Sequence, residues 1–298
     1  MNHRMAFLLM PVLWLAWGFS YPVTAIMFRE LDVWTSRLII VLLGGGVMLL
    51  VAGVRGIRLA VPRAQWLNLF VAALCNISIF QICVSYGVYL ASPGRTAVII
   101  YTMPLWAMLF ARIMLGERFT RSRVSALVCG LAGMVLLMSQ DMSHLRNAPL
   151  GIGLTFVAAI SFGFGTVWLK RCRWDMNVTT VGCWQLFIGA IPIFAIWPAF
   201  APEMPFERAG PASWLAIVYL GVVANGLAYL AWFRIVTMLP ATTSGISSMA
   251  VPIVGIFGSA VFVGEAVGWR EICALVLICA ALWLILFRTP LPRPDEAG

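Results

Sequence analysis

The sequence predicts an all-α polytopic membrane protein: ten transmembrane helices arranged as two inverted five-helix repeats. Three observations carry this reading. The chain is 62% hydrophobic and only 10% charged over 298 residues, with a mean hydropathy of +0.97, whereas soluble domains carry about 25% charged residues. Ten apolar runs reach helix length, and one residue pattern occurs twice at a fixed spacing.

A membrane-spanning helix needs about 20 mainly apolar residues. The runs fall at 5–27, 35–54, 66–88, 94–115, 122–139, 150–169, 178–199, 213–235, 241–263 and 268–287. The first is longer than the ~7–15-residue apolar region of a signal peptide, so it reads as a resident helix. The connections are short. The polar tail 289–298 carries Pro290, Pro292 and Pro294 around its start and reads as a disordered cytoplasmic tail.

The repeat is clearest around Tyr101–Glu117. A shift of 148 residues carries Pro104, Gly116 and Glu117 onto Pro252, Gly264 and Glu265, and Trp66-Leu67 onto Trp214-Leu215. Near the N-terminus a shift of 145 carries Gly18-Phe19 and Thr35 onto Gly163-Phe164 and Thr180. Pro, Gly and Glu are not residues that apolar composition repeats by chance. The halves are 1–144 and 145–288. Each has five helices, an odd number, so the second enters the membrane from the opposite side. Inverted repeats of this kind exchange conformations to give alternating access.

Charge sets the orientation. With the N-terminus in the cytoplasm, fourteen of the 20 Lys and Arg residues fall on the cytoplasmic side, among them Arg55, Arg58, Arg63, Arg118, Arg121 and Arg123, and six on the other, among them Arg37 and Arg270. The positive-inside rule then puts both termini in the cytoplasm. The same distribution accounts for the net charge of +9 without nucleic acid. Six of the seven cysteines lie in apolar runs and Cys172 in a basic loop. With no Cys-x-x-Cys or Cys/His cluster, they read as small core residues, not a disulfide framework or metal site.

No Asp, Glu, Lys, Arg or His lies in the middle third of any predicted span. This argues against a buried-carboxylate proton pump and, with His3 and His144 both near the surface, against an enzyme. A glycine-rich nucleotide motif is absent, so no cofactor is expected. What lies at depth is neutral and polar, or aromatic. The candidates for a substrate path are Trp17, Tyr21, Asn76, Gln81, Tyr101, Trp106, Trp168, Gln185, Asn225 and Tyr229, with Ser20, Ser247 and Ser248 beside them. Amides both donate and accept, so they suit a zwitterion; aromatic walls suit an apolar side chain or a cation. The plain alternatives are interfacial anchoring for Trp and helix–helix contact for Asn and Gln. Pro104 and Pro252 are candidate hinges at matched depth, against the general frequency of proline in membrane helices. Glu117 and Glu265 are candidate gates that would pair with Arg118, Arg121 or Arg123 on one face and Arg270 on the other; solvated loop charge is the alternative.

Taken together, Trp14-Leu-Ala-Trp-Gly-Phe-Ser-Tyr-Pro22 in the first helix and the two Pro…Gly-Glu segments resemble the drug/metabolite transporter superfamily, and within it the EamA-type ten-helix exporters. The likeness covers about 5–288 and is greatest to the bacterial aromatic amino-acid exporters. Trp17, Gly18 and Pro22 match the family's first-helix pattern. The second half keeps Gly163, with Phe162 and Val167 in place of Trp and Pro. The resemblance implies a small-molecule substrate, amino acids or related metabolites, exported through a central cavity within the lipid bilayer. The expectation is an inner-membrane exporter of aromatic and other neutral amino acids, working by alternating access and not driven by nucleotide. The alternatives are a multidrug or other small-metabolite exporter of the same superfamily, and a channel or accessory membrane subunit. Nothing in the sequence specifies an oligomeric state.

Overall fold

A computed structural model describes residues 3–91, 96, 99–138, 148–200, 209–255 and 268–287. Glu265 and the tail 289–298 lie outside the described residues, as does the side chain of Tyr21.

Ten helical stretches follow one another among the described residues. The first, α1, runs His3–Gly18 and, after a break at Phe19, Ser20–Met27. Then come α2 (Val33–Val54), α3 (Trp66–Ala73, Leu74–Ile79 and Phe80–Ala91), α4 (Met103–Leu115) and α5 (Arg121–Met138). The second half holds α6 (Pro149–Arg171), α7 (Val178–Phe200), α8 (Pro211–Val218, Tyr219–Leu227 and Ala228–Met238), α9 (Ala241–Ser247, with Ser248–Ala250 and on to 255) and α10 (Trp269–Phe287). Seven of the described helices are long and apolar enough to cross a membrane, and Met103–Leu115 is a shorter apolar one. This is an all-α polytopic membrane fold.

Local chemistry sets several ends. Asp32 caps α2, its carboxylate accepting from Thr35 N–H at 2.9 Å. Gly116 closes α4 in the left-handed region (φ 68°), a conformation cheap only without a Cβ. Glu117 N–H then donates back to Ala111 O at 3.2 Å.

Packing interleaves the two halves. The α2 helix lies against α7 and the middle of α8, α3 against α6, α4 against α6 and α9, and α1 against α8. Close approach depends on missing side chains: a Cβ on Gly44 would stand 2.8 Å from Asn225 Cβ, so α2 and α8 meet backbone to backbone there.

Two irregularities recur at matching offsets. Leu74–Ile79 in α3 and Tyr219–Leu227 in α8 are π-helical, and a shift of 148 places the first inside the second. The backbone also turns at Tyr101-Thr102 ahead of Pro104, and α9 tightens to a 3₁₀ turn at Ser248–Ala250 ahead of Pro252. Pro104 therefore sits in the first turn of a restarted helix, where its missing N–H costs nothing. It does not kink a continuous helix from the middle. The break precedes it.

Candidate functional site

The π-helical segments create the polar middle of the protein. A π turn misaligns the usual i→i−4 ladder, and such bulges cluster at functional sites. In α8, Leu220 O accepts from Asn225 Nδ2 at 3.0 Å and Ala224 O from Trp17 Nε1 at 3.0 Å. In α3, Cys75 O accepts from Ser161 Oγ at 2.9 Å and Asn76 O from Tyr229 Oη at 3.4 Å. Leu220 O is met within α8, and the other three acceptors are met by side chains of other helices, which ties α1, α3, α6 and α8 together.

Between these helices lies a cavity of about 80 Å³. Five of the residues singled out from sequence line it: Trp17, Gln81, Tyr101, Asn225 and Tyr229, with Ser20 beside them. Trp17 meets Tyr229 edge-on at 5.6 Å and Phe162 at 6.2 Å, and Phe80 lies 4.6 Å from Phe162 between ring centroids. Edge-to-face pairs of this kind contribute roughly 0.5–1.5 kcal/mol each beyond area burial. They make the wall stiff as well as apolar. Phe162 is the residue found in place of a second tryptophan at the offset of 145, and it touches Trp17 directly.

The polar side of the cavity is one connected chain. Gln81 Nε2 donates to Asn225 Oδ1 at 2.6 Å and lies 3.4 Å from Tyr229 Oη. Gln81 Oε1 accepts from Arg37 Nη1 at 3.4 Å, and Arg37 Nη2 reaches Thr24 Oγ1 at 3.4 Å. The Arg37 guanidinium also stands over the Phe28 ring at 5.5 Å.

Arg37 was not among the residues singled out for the substrate path, and it lies outside the middle third of its helix. It is 5% exposed and lines the cavity. Its Cα is five residues into α2, near a helix end, which made it read as an interfacial loop charge. The side chain instead turns into the bundle. Hydropathy along one helix carries no signal for that turn.

Four other expected site residues, Asn76, Gln185, Trp168 and Trp106, are not among the residues lining the cavity. Asn76 and Gln185 are buried and bonded to each other, Nδ2 to Oε1 at 3.1 Å, joining α3 to α7. Trp168 donates to Asn68 O at 3.1 Å and stacks on Phe164, with the Arg171 guanidinium 6.0 Å from its ring. Trp106 packs against α6 at Gly163. All four face helix neighbours because helix azimuth, not depth, decides what a side chain meets.

Two carboxylates span the halves on opposite faces. Glu117 accepts from Ala241 N–H at 2.9 Å and Thr242 Oγ1 at 2.8 Å, and pairs with Arg123 at 3.2 Å. It holds the start of α9 to the end of α4. Glu30, after α1, accepts from Gly210 N–H at 2.8 Å and Ser213 Oγ at 2.6 Å, holding the start of α8. The Ser213 hydroxyl, and then the Gly210 N–H, hold the Glu30 carboxyl below the usual carboxylate value. On the Glu117 face, Gln65 Nε2 donates to Asp175 Oδ2 at 2.7 Å. Shifts of 145 and 148 carry Glu30 and Gln65 onto Asp175 and Ser213, so the two clasps occupy matching positions.

The profile of the EamA-like transporter family matches residues 4–139 and again residues 149–287. The chain belongs to this family. Among curated relatives it is similar to the "Uncharacterized transporter YoaV" of Bacillus subtilis (strain 168), 21% identical over 92% of this chain and 94% of the relative. It is also similar to the "Probable amino-acid metabolite efflux pump" of Salmonella typhimurium (strain LT2), 23% identical over 86% of this chain and 91% of the relative. A solved crystal structure superposes with a TM-score of 0.82 at 19% identity, covering 96% of this chain and 99% of the other. That likeness shows the fold. This EamA-family protein is therefore a multi-pass membrane transporter.

Proposed function

We propose that this protein exports amino acids, preferring aromatic and other bulky neutral ones, across a bacterial inner membrane by alternating access. The observation that carries the reading is the cavity itself. It is bounded by helices of both halves, apolar and ring-lined on the side of Trp17, Phe80 and Phe162, and amide-lined at Gln81 and Asn225. An apolar side chain and a hydrogen-bonding head match those two sides. The name of the Salmonella relative points the same way.

In this reading the two halves are inverted repeats, 1–144 and 145–288, with the cavity on their pseudo-two-fold axis. Both termini are cytoplasmic. Glu117 closes the cytoplasmic face through Thr242 and Arg123, and Glu30 closes the other through Ser213. Pro104 and Pro252 follow matched backbone breaks and act as hinges. Ligand sites typically measure about 300–1,000 Å³, so a cavity of about 80 Å³ must widen to admit a ring. Tyr101, beside the α4 break, is placed to move with it.

The rival is an exporter of cationic compounds. The cavity wall holds a guanidinium and, among its described lining residues, no carboxylate, which disfavours a cation. The experiment is counterflow in liposomes loaded with unlabelled phenylalanine, with neither nucleotide nor pH gradient. Accumulation of labelled phenylalanine supports the proposal. Movement of a cationic dye alone, or no movement without a gradient, refutes it.

A further inference from the structure

We infer that Arg37 and Gln81 form the seat for a carboxylate, so that this cavity selects substrates by their anionic head. The inference deepens the proposed exporter reading and rests on it. Its observation is separate: a buried guanidinium aimed into the cavity from the second turn of α2.

Charge inside a membrane is costly. Charged side chains within membrane-spanning helices are rare and mark substrate paths by default. Arg37 does not extend toward the interface, although five residues from the start of α2 it has the length to do so. It is held inward by Thr24, by Gln81 and by the Phe28 ring. The hydrogen bonds to Thr24 and Gln81 are each 3.4 Å long, against about 2.7–2.9 Å for a charge-assisted bond to a carboxylate. The contacts to Thr24 and Gln81 are thus longer than a bidentate anion entering the cavity would make to the same guanidinium.

Gln81 completes the seat. Its amide nitrogen is directed to Asn225 and Tyr229, and its oxygen faces Arg37. A carboxylate that takes over the guanidinium releases Gln81 Oε1, which can then accept from an ammonium on the same substrate. Asn225, on α8, senses the change through Gln81. One α-amino-acid head thereby contacts α2, α3 and α8 together. The ring-lined side lies across the cavity at Trp17 and Phe162. The predicted order of preference is a ring with carboxylate and amine, then a ring with carboxylate only, with a ring bearing only an amine excluded.

The test uses full-length protein in liposomes and three ring-matched labelled probes: phenylalanine, 3-phenylpropionate and phenethylamine. Transport of the first two and not the third is expected. Losing one charge-assisted contact is worth roughly 10- to 100-fold, so Arg37→Gln should raise KM for both carboxylates by that factor and narrow the gap to phenethylamine. Arg37→Lys keeps the charge without the fork, and should retain the carboxylate preference at an intermediate KM. Should Arg37→Gln fail to elute as folded protein, the wild-type probe order and Arg37→Lys still decide the matter. If phenethylamine moves as well as 3-phenylpropionate, or Arg37→Lys loses the preference, the carboxylate seat is wrong while the exporter reading stands. If none of the three probes moves in the wild type, the exporter reading fails and takes the seat with it.

Discussion

Gln81 and Tyr229 stand 148 residues apart, the offset that carries Pro104 onto Pro252, and they meet: Gln81 Nε2 lies 3.4 Å from Tyr229 Oη. Matching positions of two related halves can touch only near the axis that relates them. Gln81 also donates to Asn225 at 2.6 Å. The centre of the bundle is therefore a polar contact between the halves.

That contact should be measurable as coupling. Interhelical side-chain hydrogen bonds in membranes are worth about 0.6 kcal/mol on average and up to about 1.7 kcal/mol. In a double-mutant cycle of Gln81→Ala and Asn225→Ala, followed by equilibrium unfolding in detergent, we expect a coupling energy in that range. Additive single effects would mean that the pair does not hold the halves together.

The glycines of α2 make a contrasting pair. A Cβ on Gly44 would stand 2.8 Å from Asn225 Cβ and 3.0 Å from its backbone carbon, while one on Gly46 meets nothing within 4 Å. Overpacking of this kind costs roughly 1–3 kcal/mol. Gly44→Ala should lower the melting temperature and displace Asn225 from the cavity, whereas Gly46→Ala should leave it unchanged or slightly raised. Equal effects at the two positions would contradict the packing of α2 on α8.

On the Glu117 face, the carboxylate takes a backbone N–H, a hydroxyl and a guanidinium at once. Glu117→Gln keeps an acceptor and removes the charge that balances Arg123. Accessibility of Ser244→Cys, at a position buried in α9, should then rise several-fold in a cysteine-free background, as read by maleimide labelling. Unchanged labelling would show that Glu117 is not a latch.

The Glu30 clasp predicts a pH dependence of definite sign. Its carboxyl is held below the usual value when bonded to Ser213 and Gly210. The bonded state therefore binds fewer protons than the open one, so the clasp is at full strength at neutral pH and is lost as pH falls through the lowered pKa. Hydrogen exchange at the start of α8, corrected for intrinsic rate, should be protected at pH 7 and lose protection on acidification. Glu30→Gln should abolish that dependence.

The helices were legible because the membrane leaves a chain few choices: backbone groups must be satisfied within each segment, so apolar length alone marks the passes. The doubled Pro…Gly-Glu pattern was legible because those residue types carry backbone and charge information. Trp17, Gln81, Tyr101, Asn225 and Tyr229 were found by depth, and they line the cavity. Asn76, Gln185, Trp106 and Trp168 lie at similar depth and face other helices, because azimuth is settled by packing partners that one helix does not encode. Arg37 was hidden by its place near a helix end. The π segments were hidden because one extra residue per turn leaves no trace in an apolar run. Their sign, in retrospect, is an asparagine in each: Asn76 and Asn225.

The most direct test is binding of labelled phenylalanine to the purified protein, read by scintillation proximity, in the wild type and in Gln81→Ala with melting temperature recorded for both. The account predicts saturable binding in the wild type, displaced by tryptophan, and its loss in a folded Gln81→Ala protein. Equal binding in the two proteins would place the substrate elsewhere and contradict the assignment of the cavity.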